Sequence, residues 1–472
     1  MNHNIILILC DDMGHWAMGC AGNEEIHTPN LDRLAATGMR FENFFCTSPV
    51  CSPARASIFT GKMPSQHGVQ DWLANHDNDS QEYLQGQTTY PELLSKNGYT
   101  CGISGKWHLG NAKNKQMGFS HWYVYHSAQA DYYGAPMIRN GESATESGYI
   151  TDCLTNDALS FLSTQTDRQN PFYLSVHYTA PHKPWIDCHP HKYLDMYKNC
   201  PFDSIPSEPK HPWQIDTHPW PEGEERRKTL QGYFAAVTAM DAGIGQIIDF
   251  LEREGMRDNT LIFFMSDNGM NMGHHGIVGK GNGTFPMNLY DTSVKVPAIA
   301  SQPGVIPQGV VCHSLLSQYD FMPTVLDWAS VKLPYPDGLP GHSFADILRS
   351  GEEKHHSHIV VYDEYGPVRM IRNSEWKYIH RYPYGPHELY NIKDDPSETA
   401  NLYEDGTKQD IASKMKAQLD NWFNQYADPA IDASREPVTG WGQVTRPGVY
   451  ANGATAFFQS RGSIKKIYTY SK

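Results

Sequence analysis

The chain has 472 residues, beyond the usual size of one domain, which predicts a large domain with a smaller one attached. A composition 39% hydrophobic and 12% aromatic can fill a substantial core, and no internal repeat or low-complexity stretch points to a fibrous or disordered chain. A net charge of −14 without clustered Lys and Arg excludes nucleic acid as a partner, although an acidic shell around a local basic pocket still suits an anionic ester.

Residues 5–9, all Ile or Leu, form an apolar run too short for a signal sequence or a membrane span, and predict the first buried strand. No membrane partner is expected. The expected compartment is the cytoplasm if the chain is complete, and the periplasm or the exterior if an export signal has been removed. Helices are predicted over 29–37, stopped by Gly38, and over 91–97, stopped by Gly98. Strands follow at 99–104 and 172–177. The Pro-rich stretch 201–221 reads as surface loops that line a cleft. An amphipathic helix then carries Phe234, Val237, Ile244, Ile248 and Leu251 on one stripe, and 261–265 has the unbroken apolar character of a buried strand.

This alternation predicts an α/β fold with a large, mostly parallel central sheet flanked by helices, over residues 1–350. Past Ser350 short strands at 368–372 and 376–379 and a helix at 412–426 predict a smaller C-terminal α+β domain with a short antiparallel sheet, residues 351–472, completing the substrate cleft. The Gly- and aromatic-rich tail from Pro437 has no reading of its own.

Asp11-Asp12, Lys106 with His108, His182, and Asp267-Asn268 each stand just past a predicted strand, where sites form in open α/β sheets. The two acidic pairs offer hard oxygen donors for Ca²⁺ or Mg²⁺. Either pair alone would ordinarily be a solvated turn; ending apolar strands, they read as an inward-facing metal site. Asn268-Gly269 supplies a tight turn there. Lys280 lies in Gly279-Lys280-Gly281, whose spacing is not that of a P-loop; Gly-x-Ser-x-Gly and His-Glu-x-x-His are absent. The nine cysteines show no zinc spacing. Cys188 and Cys200 are close enough in sequence to pair, with inert reduced thiols the ordinary alternative. Trp72, His121-Trp122-Tyr123 and Tyr132-Tyr133 are candidates for a sugar-stacking platform or for plain packing.

Cys51-Ser52-Pro53-Ala54-Arg55, running on through Ala56-Ser57-Ile58-Phe59-Thr60-Gly61, resembles the maturation signature of the type I sulfatases of the alkaline phosphatase superfamily. Gly105-Lys106-Trp107-His108-Leu109-Gly110 is similar to a second family element, and Pro181-His182-Lys183-Pro184 to a third. Val296-Pro297 and the run from Glu388-Leu389-Tyr390 through Asp395-Pro396 to Asn401-Leu402 extend the likeness over most of the chain. Lys295 stands where Arg is usual, Asn391 where Asp is, and His274 where many members have Glu.

The resemblance implies an alkaline-phosphatase-like fold and a Cys51 oxidised to Cα-formylglycine by a maturase. It implies a cation, Ca²⁺ or else Mg²⁺, bound by Asp11, Asp12, Asp267, Asn268 and residue 51. The implied catalytic set is Cys51, Arg55, Lys106, His108, His182 and Lys280. Lys106, His182 and Lys280 contact the sulfate; His108 accepts a proton, and His182 donates one to the departing oxygen, with His177 the lesser candidate. Alternate residues of an extended segment share a face, so Lys106 and His108 are expected to point the same way. The implied substrate is a sulfated small molecule or a glycan. Rival readings are a phosphate or phosphonate monoester hydrolase of the same fold, whose members carry Asp-His where this chain has Asp267-Asn268, and an unmatured glycan-binding homologue.

Overall fold

Alternate residues of the first strand, Asn4–Cys10, feed two separate cores. Ile5, Leu7 and Leu9 pack with Ile58, Phe59, Leu94 and Val325 on one side of the sheet. Ile6, Ile8 and Cys10 pack with Leu34, Leu154, Phe234 and Val237 on the other. A strand covered on both faces has no polar side to show, which is why its sequence is an unbroken apolar run. The computed structural model describes residues 3–458 apart from 75–80, 127–130, 167–168, 216–219, 335–337, 354–355, 364–367 and 436.

Ten strands form the main sheet, in the order Val310–Cys312, Met39–Phe41, Ala298–Ser301, Thr260–Ser266, Asn4–Cys10, Phe172–His177, Thr100–Gly105, His121–Tyr125, Ala135–Arg139, Glu142–Glu146. The five strands from Thr260–Ser266 to His121–Tyr125 are parallel neighbours. Antiparallel pairings join Ala298–Ser301 on one flank and the last two strands on the other, so the sheet is mixed around a parallel centre. Its centre has the predicted arrangement; the flanking hairpin strands, exposed on one face at Glu142–Glu146, lack the apolar continuity that marks the middle.

Helices Pro29–Ala36, Ile150–Ser163 and Gly223–Arg253 cover one face; Cys51–Thr60, Tyr90–Lys96 and Phe321–Trp328 cover the other. Gly223–Arg253 is long and apolar enough to cross a membrane, but 83% of its most apolar stretch is buried inside the molecule, as befits a core helix. A second, four-stranded antiparallel sheet comprises Ile359–Asp363, Val368–Arg372, Trp376–Arg381 and Glu388–Asn391. Helix Gln409–Tyr426 lays Met415, Leu419 and Phe423 against it.

The tail from Pro437, as far as residue 458, runs back to the large sheet's loops; its remainder lies outside the described residues. Fully buried Gln443 accepts from the backbone N–H of Gln70 at 2.7 Å and of Asp71 at 3.2 Å, and its Nε2 donates to the Gly68 carbonyl at 2.8 Å. Its main chain pairs with Leu73, and Asp71 Oδ2 accepts from Gly442 N. All nine cysteines are free, so Cys188 and Cys200 do not pair; Cys188 donates to Pro184 O and Cys200 to Glu25.

Candidate active site

Register explains why distant acidic residues meet. Cys10 is level with Ser266, and Gly105 with His177, so Asp11, Asp267 and Lys106 are the next residues off the carboxyl edges of neighbouring strands. Gly105, at φ 121°, brings its chain so close to the next strand that a Cβ would sit 1.9 Å from the His177 carbonyl oxygen. Only glycine fits there. Asp12 takes a left-handed turn at φ 64°, a conformation that costs a non-glycine residue energy and is characteristic of functional sites.

Cys51 is not in a loop; it is the first residue of helix Cys51–Thr60, with its sulfur at the positive end of the helix dipole. Its Sγ lies 3.1 Å from Asp11 Oδ1, 3.0 Å from Lys280 Nζ and 4.0 Å from Asp12 Oδ1. Ligand atoms of Asp11, Asp12, Cys51 and Asp267 all fall within 4.8 Å of one another. Asn268 Nδ2 donates to Asp12 Oδ1 at 2.9 Å, which turns its Oδ1 toward Lys280 Nζ, 3.4 Å away.

The same cluster holds the cations. Lys280 Nζ is 2.5 Å from Asp12 Oδ1, and Lys106 Nζ pairs with Asp11 Oδ2. Burial opposes the charge of both ammonium groups, yet the adjoining carboxylates prevail and hold them above their usual range. Burial likewise opposes ionisation of Asp11, but Lys106 and the other cations keep it well below the ordinary carboxylate range, while burial and Asp11 push Asp267 up to about 7. Burial, reinforced by Asp11, drives the Cys51 thiol far up. As a thiol it is a poor nucleophile at neutral pH.

Arg55 forks onto Asp267 Oδ2, through Nε at 3.1 Å and Nη2 at 2.9 Å, and its Nη1 donates to the Lys106 carbonyl at 3.1 Å. His177 sits behind it, Nδ1 3.2 Å from Nη1, and burial lowers that imidazole to about 3. His182 is the histidine that faces the cluster: Nδ1 donates to Lys183 O at 2.7 Å, and Nε2 lies 3.6 Å from Asp12 Oδ2. Among the described residues, Asp12 Oδ2 has no hydrogen-bond partner. Three converging carboxylates and an orphaned buried oxygen fit a hard divalent cation.

His108 reaches the site differently from the expected strand alternation. Gly105 at φ 121° and His108 at φ 54° make this segment a turn, and extended geometry does not apply. His108 Nε2 donates to the Leu73 carbonyl at 3.2 Å, leaving Nδ1 unpartnered among the described residues and fixed as the basic nitrogen. The site residues named from sequence therefore cluster: Asp11, Asp12, Cys51, Arg55, Lys106, His182, Asp267, Asn268 and Lys280 directly, with His108 beside them. Sequence reading missed the supports. Gln318 Nε2 donates to the Ser266 and Asp267 carbonyls at 3.0 and 2.8 Å, and Tyr132 OH donates to His182 O at 2.8 Å.

The aromatic candidates divide. Trp122, Tyr123 and Tyr132 are buried packing, Trp72 donates to Gly440 O in the tail, and Tyr133 is 45% exposed. His275, beside the departure from the family pattern at His274, stacks on Tyr290 with centroids 3.8 Å apart. The 201–221 stretch meets the Lys280 loop, where Gln214 bridges to Thr284; residues 216–219 lie outside the described residues.

A family model described as Sulfatase matches residues 3–331, and one described as N-sulphoglucosamine sulphohydrolase, C-terminal, matches residues 283–425. The N-acetylglucosamine-6-O-sulfatase of Bacteroides thetaiotaomicron is 28% identical, over 90% of this chain and 87% of the relative. The choline-sulfatase of Rhizobium meliloti is 30% identical, over 85% and 82%. A solved structure of a protein with its substrate D-glucosamine-2-N,6-O-disulfate superposes with a TM-score of 0.80 at 26% identity, covering 92% of this chain and 100% of that one.

Proposed function

The chain belongs to the sulfatase family and is a sulfuric ester hydrolase, and on that footing we propose that it removes a sulfate monoester from a sugar, using a formylglycine made from Cys51 and one calcium ion. The observation that carries the reading is the position of Cys51 Sγ, within 3.1 Å of both Asp11 Oδ1 and Lys280 Nζ at the positive end of a helix. Sugar specificity is supported by the hexosamine sulfatase and the glucosamine disulfate complex among its relatives.

Oxidised and hydrated, position 51 would supply a geminal diol, whose one hydroxyl would displace the alcohol from sulfur and whose other, on losing its proton, would release sulfate and restore the aldehyde. Calcium, or magnesium as the other hard cation, held by Asp11, Asp12, Asp267 and the Asn268 oxygen, would supply Lewis acidity at a sulfate oxygen. The remaining chemistry belongs to side chains. Lys106 and Lys280, kept charged by their carboxylates, bind sulfate oxygens and offset charge on the leaving oxygen. His108, its Nε2 committed to Leu73 O, takes a proton at Nδ1. Burial lowers the His182 imidazole to about 4. The proton that Nε2 gives to the departing alcohol therefore has to come with the anionic ester, whose charge joins that of Asp12 in raising the imidazole again. All ten residues of Cys51–Thr60 are buried, so a separate maturase has to act before the chain closes over Cys51.

The test is free sulfate measured from N-acetylglucosamine 6-sulfate, N-acetylgalactosamine 6-sulfate, choline sulfate and an aryl phosphonate monoester. Release from an amino-sugar sulfate, abolished in Cys51→Ala and by chelation of calcium, is the expected result. Preference for choline sulfate or the phosphonate, or undiminished turnover by Cys51→Ala, overturns the reading.

A further inference from the structure

Away from the carboxylate cluster, one further group of ligating side chains converges among the described residues: Asp320, His342 and His356, with candidate donor atoms all within 4.8 Å of one another. Asp320 is fully buried. Its Oδ1 and Oδ2 each accept from His356 Nε2 at 3.1 Å. The carboxylate is held from behind, since Ser317 N donates to Oδ2 and His342 N to Oδ1, both at 2.9 Å. The His342 and His356 rings stand 5.5 Å apart, centroid to centroid.

Two imidazoles and a carboxylate are the donor set of zinc-class ions, unlike the all-oxygen set of the carboxylate cluster. A tetrahedral ion bound at about 2.0–2.1 Å keeps its donors roughly 3.3 Å apart. The 3.1 Å spacing of His356 Nε2 from Asp320 is already near that value. Backbone donors that fix the carboxylate have the character of supports around metal ligands. His342 and His356 also line a cavity of about 360 Å³, together with Tyr319, His358, Trp422 and Tyr426.

The site straddles a seam. Asp320 follows Gln318, which grips the end of the Thr260–Ser266 strand, whereas His356 leads into Ile359–Asp363 of the four-stranded sheet. We propose that Asp320, His342 and His356 bind one zinc-class divalent cation that fastens the four-stranded sheet to the main one. It has no part in sulfate chemistry.

The experiment uses full-length protein in excess calcium, titrated with Co²⁺ as a spectroscopic stand-in and then with Zn²⁺. Wild type is expected to take up one equivalent of Co²⁺ with the intense visible bands of a tetrahedral centre, which Zn²⁺ displaces, and Zn²⁺ is expected to raise its Tm. His342 is exposed, so His342→Ala should fold with an unchanged metal-free Tm and release sulfate normally, yet lose the bands and the Zn²⁺-dependent rise. His356→Gln is the second variant, expected to lose both as well. Absence of the bands in wild type, or equal bands and Tm rise in wild type and both variants, overturns the proposal.

Discussion

Arg55 acts one step back from the nucleophile. Its guanidinium joins Asp267 to the Lys106 carbonyl and to neutral His177, so one planar group sets the positions of a carboxylate of the cluster and of the turn that carries Lys106 and His108. Lysine could satisfy the charge but not the fork. On the proposed function, Arg55→Lys is therefore expected to weaken cation binding at the carboxylate cluster by roughly 10–100-fold, the usual loss when a ligand's support is removed. Calcium titration of sulfate release checks it: activity should recover toward wild type at raised calcium. An unchanged calcium midpoint would mean that Arg55 serves the nucleophile instead. At this scale the sequence was informative about position wherever a motif is local: Cys51 and Lys106 both lie in the carboxylate cluster. It misjudged His108, whose direction depends on two positive φ angles that no residue pattern announces, only one of them at a glycine.

At the scale of elements, the parallel strands were legible because burial on both faces leaves an uninterrupted apolar run, and residues 261–265 sit inside Thr260–Ser266 as read. The joints between elements were not. Lys377, fully buried on the middle of the four-stranded sheet, reaches across to Asp291 at 3.0 Å and Glu398 at 2.6 Å, and Arg372 joins Asp291 at 3.3 Å. Each member is an ordinary charged residue in sequence; only the fold makes them a buried network. Removing one cation from such a network strands the opposing charges, so Lys377→Met should cost about 3–5 kcal/mol. Urea unfolding of the variant measures it, with the carboxylate cluster's calcium affinity as the control that should not move.

Over the whole molecule, the tail holds the loop that holds His108. Gln443 makes its bonds to Gly68, Gln70 and Asp71, and two residues further along Leu73 offers the carbonyl that fixes the histidine's tautomer. Nothing in a lone glutamine some 370 residues away marks this duty. Gln443→Ala leaves buried backbone groups unpaired, at about 1–3 kcal/mol each. On the proposed roles it should lower kcat more than it raises KM, because it loosens His108 without touching Lys106 or Lys280. A change confined to KM would refute that link.

Synthesis runs from amino to carboxyl end, so Asp11, Asp12, Cys51 and Asp267 leave the ribosome well before Gln443, the brace for His108. A chain that stops short of it carries every carboxylate of the cluster but lacks the brace, and is expected to release sulfate more slowly. Turnover is thus weighted toward molecules translated at least as far as the Gln443 brace.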